Sequence, residues 1–234
     1  MNHRVTPKAR ELIAQTWQSQ ANLALFLAML VVTVFVLPAI NVKHEHIVLY
    51  SNIVYSLVLA SGVAIGWGRP RLFALAAVVA SPALVLRWAA WGVSTPALEL
   101  WAEAFSLLSV VVIAYVLLAQ VFRAGPINAV RVQGAVAVYL LIGVAYAYGF
   151  QIDSRINPAS VESTAGKMTT FVDWVYFSFC TLSTVGYGDI VPASRLSRML
   201  AIGEGISGQL FLAILIARLV AMQVSAAAER QASN

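Results

Sequence analysis

Charge is scarce in this chain of 234 residues: Asp, Glu, Lys and Arg make up 11% of it, against about 25% in a soluble domain. Too few ionic groups remain to clothe a water-facing surface. Cysteine is scarcer still. Cys180 stands alone, which rules out an intrachain disulfide and reads as a small buried packing residue ahead of a redox or metal role. Catalytic signatures are missing as well: there is no nucleophile elbow, phosphate loop or His-Glu metal motif, so an enzyme is not expected. Residues 97–122 contain no Lys or Arg. What the chain does have is apolar bulk, 60% of its residues with a mean hydropathy of +0.81, and that bulk must find a non-aqueous solvent.

A helix of about 20 apolar residues crosses a bilayer, and six runs approach or reach that length: 21–40, 47–67, 72–91, 97–122, 132–151 and 196–222. The fold class expected is an all-α membrane protein with six transmembrane helices. Residues 171–183 are too short to cross and read as a re-entrant helix, tolerated at membrane depth only when protein buries it. No small-residue cleavage site follows the first run, so a removable signal peptide is not expected. Basic residues fall on one side of the runs: Arg4, Lys8 and Arg10, then Arg69 and Arg71, Arg123 and Arg131, and finally Arg218 and Arg230. The other side collects Glu45, Glu99, Glu103, Asp153, Glu162, Asp173 and Asp189. Positive residues mark the cytoplasmic face. Both termini are therefore expected in the cytoplasm, in a plasma membrane, or a cell inner membrane for a bacterial source. The net charge of +5 follows from this bias and implies no nucleic-acid partner.

Between the last two runs lies Thr181-Leu182-Ser183-Thr184-Val185-Gly186-Tyr187-Gly188-Asp189. The carbonyls of Thr184, Val185, Gly186 and Tyr187, with the Thr184 hydroxyl, can stack as rings of oxygen that replace the water around a cation. Successive inward carbonyls need alternate residues at left-handed angles, which Gly186 and Gly188 reach without a Cβ penalty. Tyr187 would face away and pack as a spacer that holds the diameter. Gly-Tyr-Gly alone is also a turn signal, and the flanks distinguish the two. From Thr184 to Asp189 the run resembles the T-V-G-Y-G-D selectivity filter of the potassium-channel superfamily at every position. The resemblance implies K+ as the permeant ion, held along Thr184, Val185, Gly186, Tyr187 and Gly188, with no cofactor. It also implies a homotetramer in the lipid bilayer, because four copies are needed to close each ring.

The likeness extends over residues 127–222 as outer helix, turret, pore helix, filter and inner helix, with Gly125-Pro126 breaking the chain ahead of it. The expected divisions are a cytoplasmic N-terminus at 1–20, a four-helix transmembrane domain at 21–123, a pore domain at 124–222 and a short cytoplasmic tail at 223–234. The turret, 153–167, is polar and contains Asn157-Pro158 and Gly166, as a water-facing loop would. Trp174, Tyr176 and Phe177 supply the aromatic cuff expected around Tyr187, although interfacial segments carry such residues too. The pore helix would aim its negative pole, near Ser183, at the cavity beneath the filter. Many members of the family have a carboxylate where this chain has Cys180, paired with the acid after the filter. Asp189 must then find another partner, and it reads as a structural acceptor ahead of an ion ligand. Glu204 is an intramembrane acid and a functional candidate by default; it reads as a support bonded behind the filter. Gly208 stands where the family often has the hinge of its gate, with packing as the alternative because Gly203 and Gly205 adjoin it.

A voltage sensor needs a fourth helix rich in arginine. Here residues 97–122 have none, and Glu99 and Glu103 open the run, so steep voltage gating is not expected. Arg87, in the third run, would snorkel outward or pair with Glu99 or Glu103. Residues 223–234 are too short for a ligand-binding module. The first four helices are left as a packing collar or a sensor of another stimulus. His44, Glu45 and His46 fall in the first outer loop and read as solvated residues ahead of a metal or proton sensor, which would need further ligands. The function expected is passive, K+-selective conduction with little or no voltage dependence. A potassium transporter would repeat the helix, loop, helix unit within one chain, and only one unit is present. The alternatives are a non-conducting accessory subunit that keeps the pore fold and a non-selective cation channel, in which the filter tyrosine is often replaced.

Overall fold

A computed structural model describes residues 21–39, 44–66, 70–93, 95–122, 129–164, 166, 168 and 170–232. The expectations for Arg4, Lys8, Arg10, Arg69, Arg123 and the Gly125-Pro126 break lie outside the described residues, as do the side chains of His44, Glu45, His46 and Arg230. Within the described residues the chain is mostly helical, in the order α1 (Ala21–Val36), α2 (His44–Ala64), α3 (Pro70–Gly92), α4 (Pro96–Val121), α5 (Ala129–Ile156), α6 (Phe171–Leu182) and α7 (Arg195–Ala232). Two short strands, β1 (Val161–Ser163) and β2 (Ile190–Pro192), flank α6.

Four stretches are long and apolar enough to cross a bilayer: Pro70–Gly92, Pro96–Val121, Val130–Ile156 and Arg195–Ala221. The first two apolar runs of the sequence are helical too, as the shorter apolar stretches Ala21–Val36 and Leu49–Ala64. Val32–Val36 at the end of α1 is a π-turn that runs directly into the short helical segment Leu37–Ala39. Pro38, inside that segment, has no N–H to donate, which displaces the usual i−4 ladder. His44 to His46 begin α2 and do not lie in a loop.

α5 is the axis of the fold. It packs against α4, α6 and α7, while α3 packs against α4. Ala137, Leu141, Ala147, Tyr148 and Phe150 on α5 are fully enclosed. Gly143 admits α6: a Cβ there would lie 2.7 Å from the Phe179 ring, closer than real contacts allow. α5 also runs past residue 151, where its apolar run ends, to Ile156. The added turn is held by protein in place of water, since Asp153 is buried and accepts from Ser194 Oγ at 3.2 Å. The turret is correspondingly shorter than expected and contains β1, which pairs antiparallel with β2, Val161 opposite Pro192 and Ser163 opposite Ile190. Proline is tolerated in so small a sheet because both strands are edges.

Along α7, Met199, Ile202, Ile206 and Leu210 are exposed. Their spacing of three and four residues makes one apolar stripe on the outside of a single chain.

Candidate functional site

α6 starts where Asp173 Oδ2 accepts from the Thr170 N–H at 2.9 Å and from its hydroxyl at 3.1 Å, closing the first turn. It ends at Ser183, whose N–H bonds to the Phe179 carbonyl at 3.1 Å. The next amides fold back on the helix: Thr184 N–H reaches Thr181 O at 3.0 Å, and Val185 and Gly186 share Cys180 O at 2.9 and 3.3 Å. Their N–H groups are thus spent inward. Among the described residues no backbone N–H reaches the carbonyls of Thr184, Val185, Gly186 or Tyr187, and Ser183 to Gly188 are all exposed.

The backbone of this run alternates. Thr184, Gly186 and Gly188 have φ of +60°, +57° and +79°, with Val185 and Tyr187 between them at ordinary angles. The two glycines adopt the angles that the sequence calls for, and Thr184 joins them at a cost of roughly 1–2 kcal/mol for a residue with a Cβ. Side-chain space does not force this, because a Cβ on Gly186 or Gly188 would meet nothing within 4 Å.

The C-terminal end of the run is pinned at Asp189. Tyr176 donates its hydroxyl to Oδ2 at 2.8 Å, Ile190 N–H reaches Oδ1 at 3.1 Å, and Thr164 bonds to the Asp189 carbonyl through its N–H at 2.9 Å and its hydroxyl at 3.2 Å. Tyr176 is therefore the partner that Asp189 lacks at position 180. The Tyr176 ring also lies parallel to Tyr187, with centroids 6.4 Å apart and planes 4° from parallel. Trp174 and Phe177 do not join this cuff within the chain. Both are buried, and Phe177 packs on Phe150 of α5 with centroids 4.7 Å apart. Helical spacing accounts for the difference within one chain, since 174 and 177 lie on one buried face while 176 lies off it and is exposed. Cys180 is half-buried, and its contribution to the run is its carbonyl.

The N-terminal end rests on α7. Gly208 meets the last turn of α6 so closely that a Cβ would lie 2.7 Å from the Leu182 carbonyl oxygen, and Gly205 lies near Thr181 O. α7 continues through Gly203, Gly205 and Gly208 without a break, so in this conformation Gly208 is a packing contact. Glu204 is fully buried. Its Oε1 is in hydrogen-bond contact with the Ser178 hydroxyl, which also lies 2.7 Å from the Gly143 carbonyl oxygen. No cluster of three or more His, Cys, Asp or Glu suited to a metal occurs among the described residues.

Arg87 pairs with neither acid of α4. Its Nε donates to Asn52 Oδ1 at 2.7 Å and its Nη1 to Tyr148 OH at 3.1 Å, with the guanidinium 4.5 Å above the Tyr55 ring. Arg155 takes both acids instead, bonding Glu103 through Nε at 2.8 Å and through Nη2, and Glu99 through Nη1 at 2.6 Å. Arg155 and Ser178 are the residues that sequence patterns pass over. The signal for Arg155 is its place as a base on the acidic side of the chain; Ser178 carries none.

Residues 134–224 match a family described as ion channel. The chain is 39% identical over 88 residues to two-pore potassium channel 4 of Arabidopsis thaliana, covering 38% of this chain and 28% of that protein. It is 49% identical over 65 residues to potassium channel K2 of Plasmodium berghei, covering 27% of this chain and 4% of that protein. Against two pore potassium channel a of Oryza sativa it is 33% identical over 82 residues, 35% of this chain and 21% of that protein. The chain thus spans about a quarter or less of the length of these curated relatives. No solved structure matches it. The family and the relatives are ion channels, not enzymes.

Proposed function

We propose, from the match of residues 134–224 to the ion-channel family and the partial likeness to potassium channels, that the chain is a member of the potassium-channel superfamily and one subunit of a passive, K+-selective channel. The observation that carries this reading is the exposed run from Thr184 to Gly188, with φ positive at alternate residues and its carbonyls left without amide partners among the described residues. Oxygens in that state can take the place of an ion's hydration shell. One strand cannot surround an ion, so four copies are assigned to the pore. The exposed stripe Met199, Ile202, Ile206 and Leu210, together with exposed Val185 and Tyr187, supports contact between copies.

In this reading α1 to α5 and α7 cross the bilayer and α6 is the re-entrant pore helix. An even number of crossings leaves both termini on one side, the cytoplasmic side by the placement of basic residues. Tyr176 and Asp189 hold the outer end of the filter, and Glu204 and Gly208 brace it from α7. Conduction changes little with voltage, because α4 has no Lys or Arg and its two acids face Arg155.

The test is the reversal potential of purified protein in a planar bilayer under asymmetric K+ and Na+. A value near the K+ equilibrium potential is expected. Reversal near zero would mean a non-selective cation channel, and silence from correctly assembled protein would mean an accessory subunit.

A further inference from the structure

Glu204 is an acid with almost nothing to offset a charge. It is fully buried, it makes no ion pair among the described residues, and its Oε2 is enclosed without a hydrogen-bond partner. Its single polar contact is Ser178 Oγ, itself fully buried. That hydroxyl has a second neighbour, the Gly143 carbonyl oxygen at 2.7 Å.

The protons can be counted. A serine hydroxyl carries one hydrogen to donate and has lone pairs to accept. The Gly143 carbonyl can only accept, so the Ser178 hydrogen belongs on it. Ser178 is then left as an acceptor towards Glu204, and an ionised carboxylate has no hydrogen to give. With Glu204 ionised, two acceptors would compete for one hydrogen, and a charged oxygen, Oε2, would sit bare in the protein interior, which costs far more than a bare neutral carbonyl. With Glu204 as a carboxylic acid every hydrogen has a place. Oε1–H donates to Ser178, Ser178 donates to Gly143, and Oε2 is an uncharged carbonyl oxygen.

We propose that Glu204 is held as a neutral carboxylic acid and acts as a positioning residue, heading a one-way hydrogen-bond relay from α7 through Ser178 on α6 to the Gly143 carbonyl on α5. The relay spans the three helices that carry the filter. It meets α6 at Ser178, two residues before Cys180, whose carbonyl receives the Val185 and Gly186 amides. Gly143 also faces the Phe179 ring, which would lie 2.7 Å from a Cβ there, so the relay fixes α6 beside a close packing contact with α5. The effect on conduction rests on the channel reading above. The protonation state does not.

Two measurements on the full-length protein in lipid separate these parts. Infrared difference spectra at neutral pH, intact protein against Glu204→Gln, should show the carbonyl band of a protonated carboxylic acid that the variant lacks. If the intact protein shows only carboxylate bands at that difference, the proposal is overturned whether or not the protein conducts. In bilayers, Glu204→Gln should keep K+ over Na+ selectivity within about twofold, because its amide N–H replaces the acid O–H. Glu204→Val and Ser178→Ala should each lower selectivity tenfold or more. Should Glu204→Val fail to assemble, Ser178→Ala and Glu204→Gln still decide the matter. A Gln variant that assembles normally yet loses selectivity as Ser178→Ala does would show that a charged carboxylate is required, against the relay.

Discussion

Thr184 is the one non-glycine residue with positive φ among the described residues, and it begins the alternation that Gly186 and Gly188 continue. Strain of this kind persists only where the surroundings over-determine it; here amide bonds back to Thr181 and Cys180 do so. Gly186→Ala tests the alternation. Its Cβ would meet nothing within 4 Å, so the chain should fold and assemble. The left-handed angle would cost roughly 1–2 kcal/mol in every subunit, and relief of it turns the carbonyls aside. K+ current in bilayers should fall at least tenfold with the oligomer intact; undiminished selective current would remove this run from the ion path. Tyr176→Phe probes the outer end. It keeps the ring beside Tyr187 and deletes the hydroxyl bonded to Asp189. Currents under sustained recording should then decay several times faster than in the intact protein, and an unchanged time course would show that Ile190 and Thr164 hold Asp189 unaided.

At the scale of elements, the close approach of α7 to the last turn of α6 places a glycine where a hinge and a packing contact both call for one. The 2.7 Å that a Cβ would leave to the Leu182 carbonyl oxygen favours packing, because backbone cannot give way as a flexible side chain can. Gly208→Ala should therefore lower the thermal stability of the assembled protein by about 1–3 kcal/mol per subunit, the usual range for an overpacked site, read as a drop in Tm. A hinge residue alone would change opening and leave Tm where it was. Between α4 and α5 the tie is ionic. Arg155 lies between a buried Glu103 and a half-buried Glu99. Removing one member of such a group strands the others, the more costly direction of change. Arg155→Gln should lower Tm more than the double change Arg155→Gln with Glu103→Gln. The reverse order would mean that the ion pair adds nothing to the attachment of α4.

For the whole molecule, the proposed channel calls for an assembly, and the composition of α4 bears on what could gate it. Native mass measurement of the conducting form should give four copies. A conducting dimer would break the ring geometry proposed for Thr184 to Tyr187. The conductance–voltage relation should be shallow, since α4 carries no basic residue to move through the field, and each charge that did move would contribute about 2.3 kcal/mol per 100 mV. A steep sigmoid would assign sensing to the first four helices.

The sequence by itself determined the mostly helical, apolar class and the run in which Gly186 and Gly188 take left-handed angles. Twenty-residue apolar stretches have few places to go but a bilayer, and a left-handed alternation needs glycine at fixed positions. Those signals are local and survive without a fold. The partners of that run were decided by tertiary structure. That Tyr176 reaches Asp189 while Phe177 turns to Phe150 of α5, that Arg155 and not Arg87 meets the α4 acids, and that Ser178 joins Glu204 to Gly143, all depend on how helices distant in sequence are rotated against one another. A side chain's type states what bonds it can make, but the angle of the helix that carries it decides which neighbour receives them.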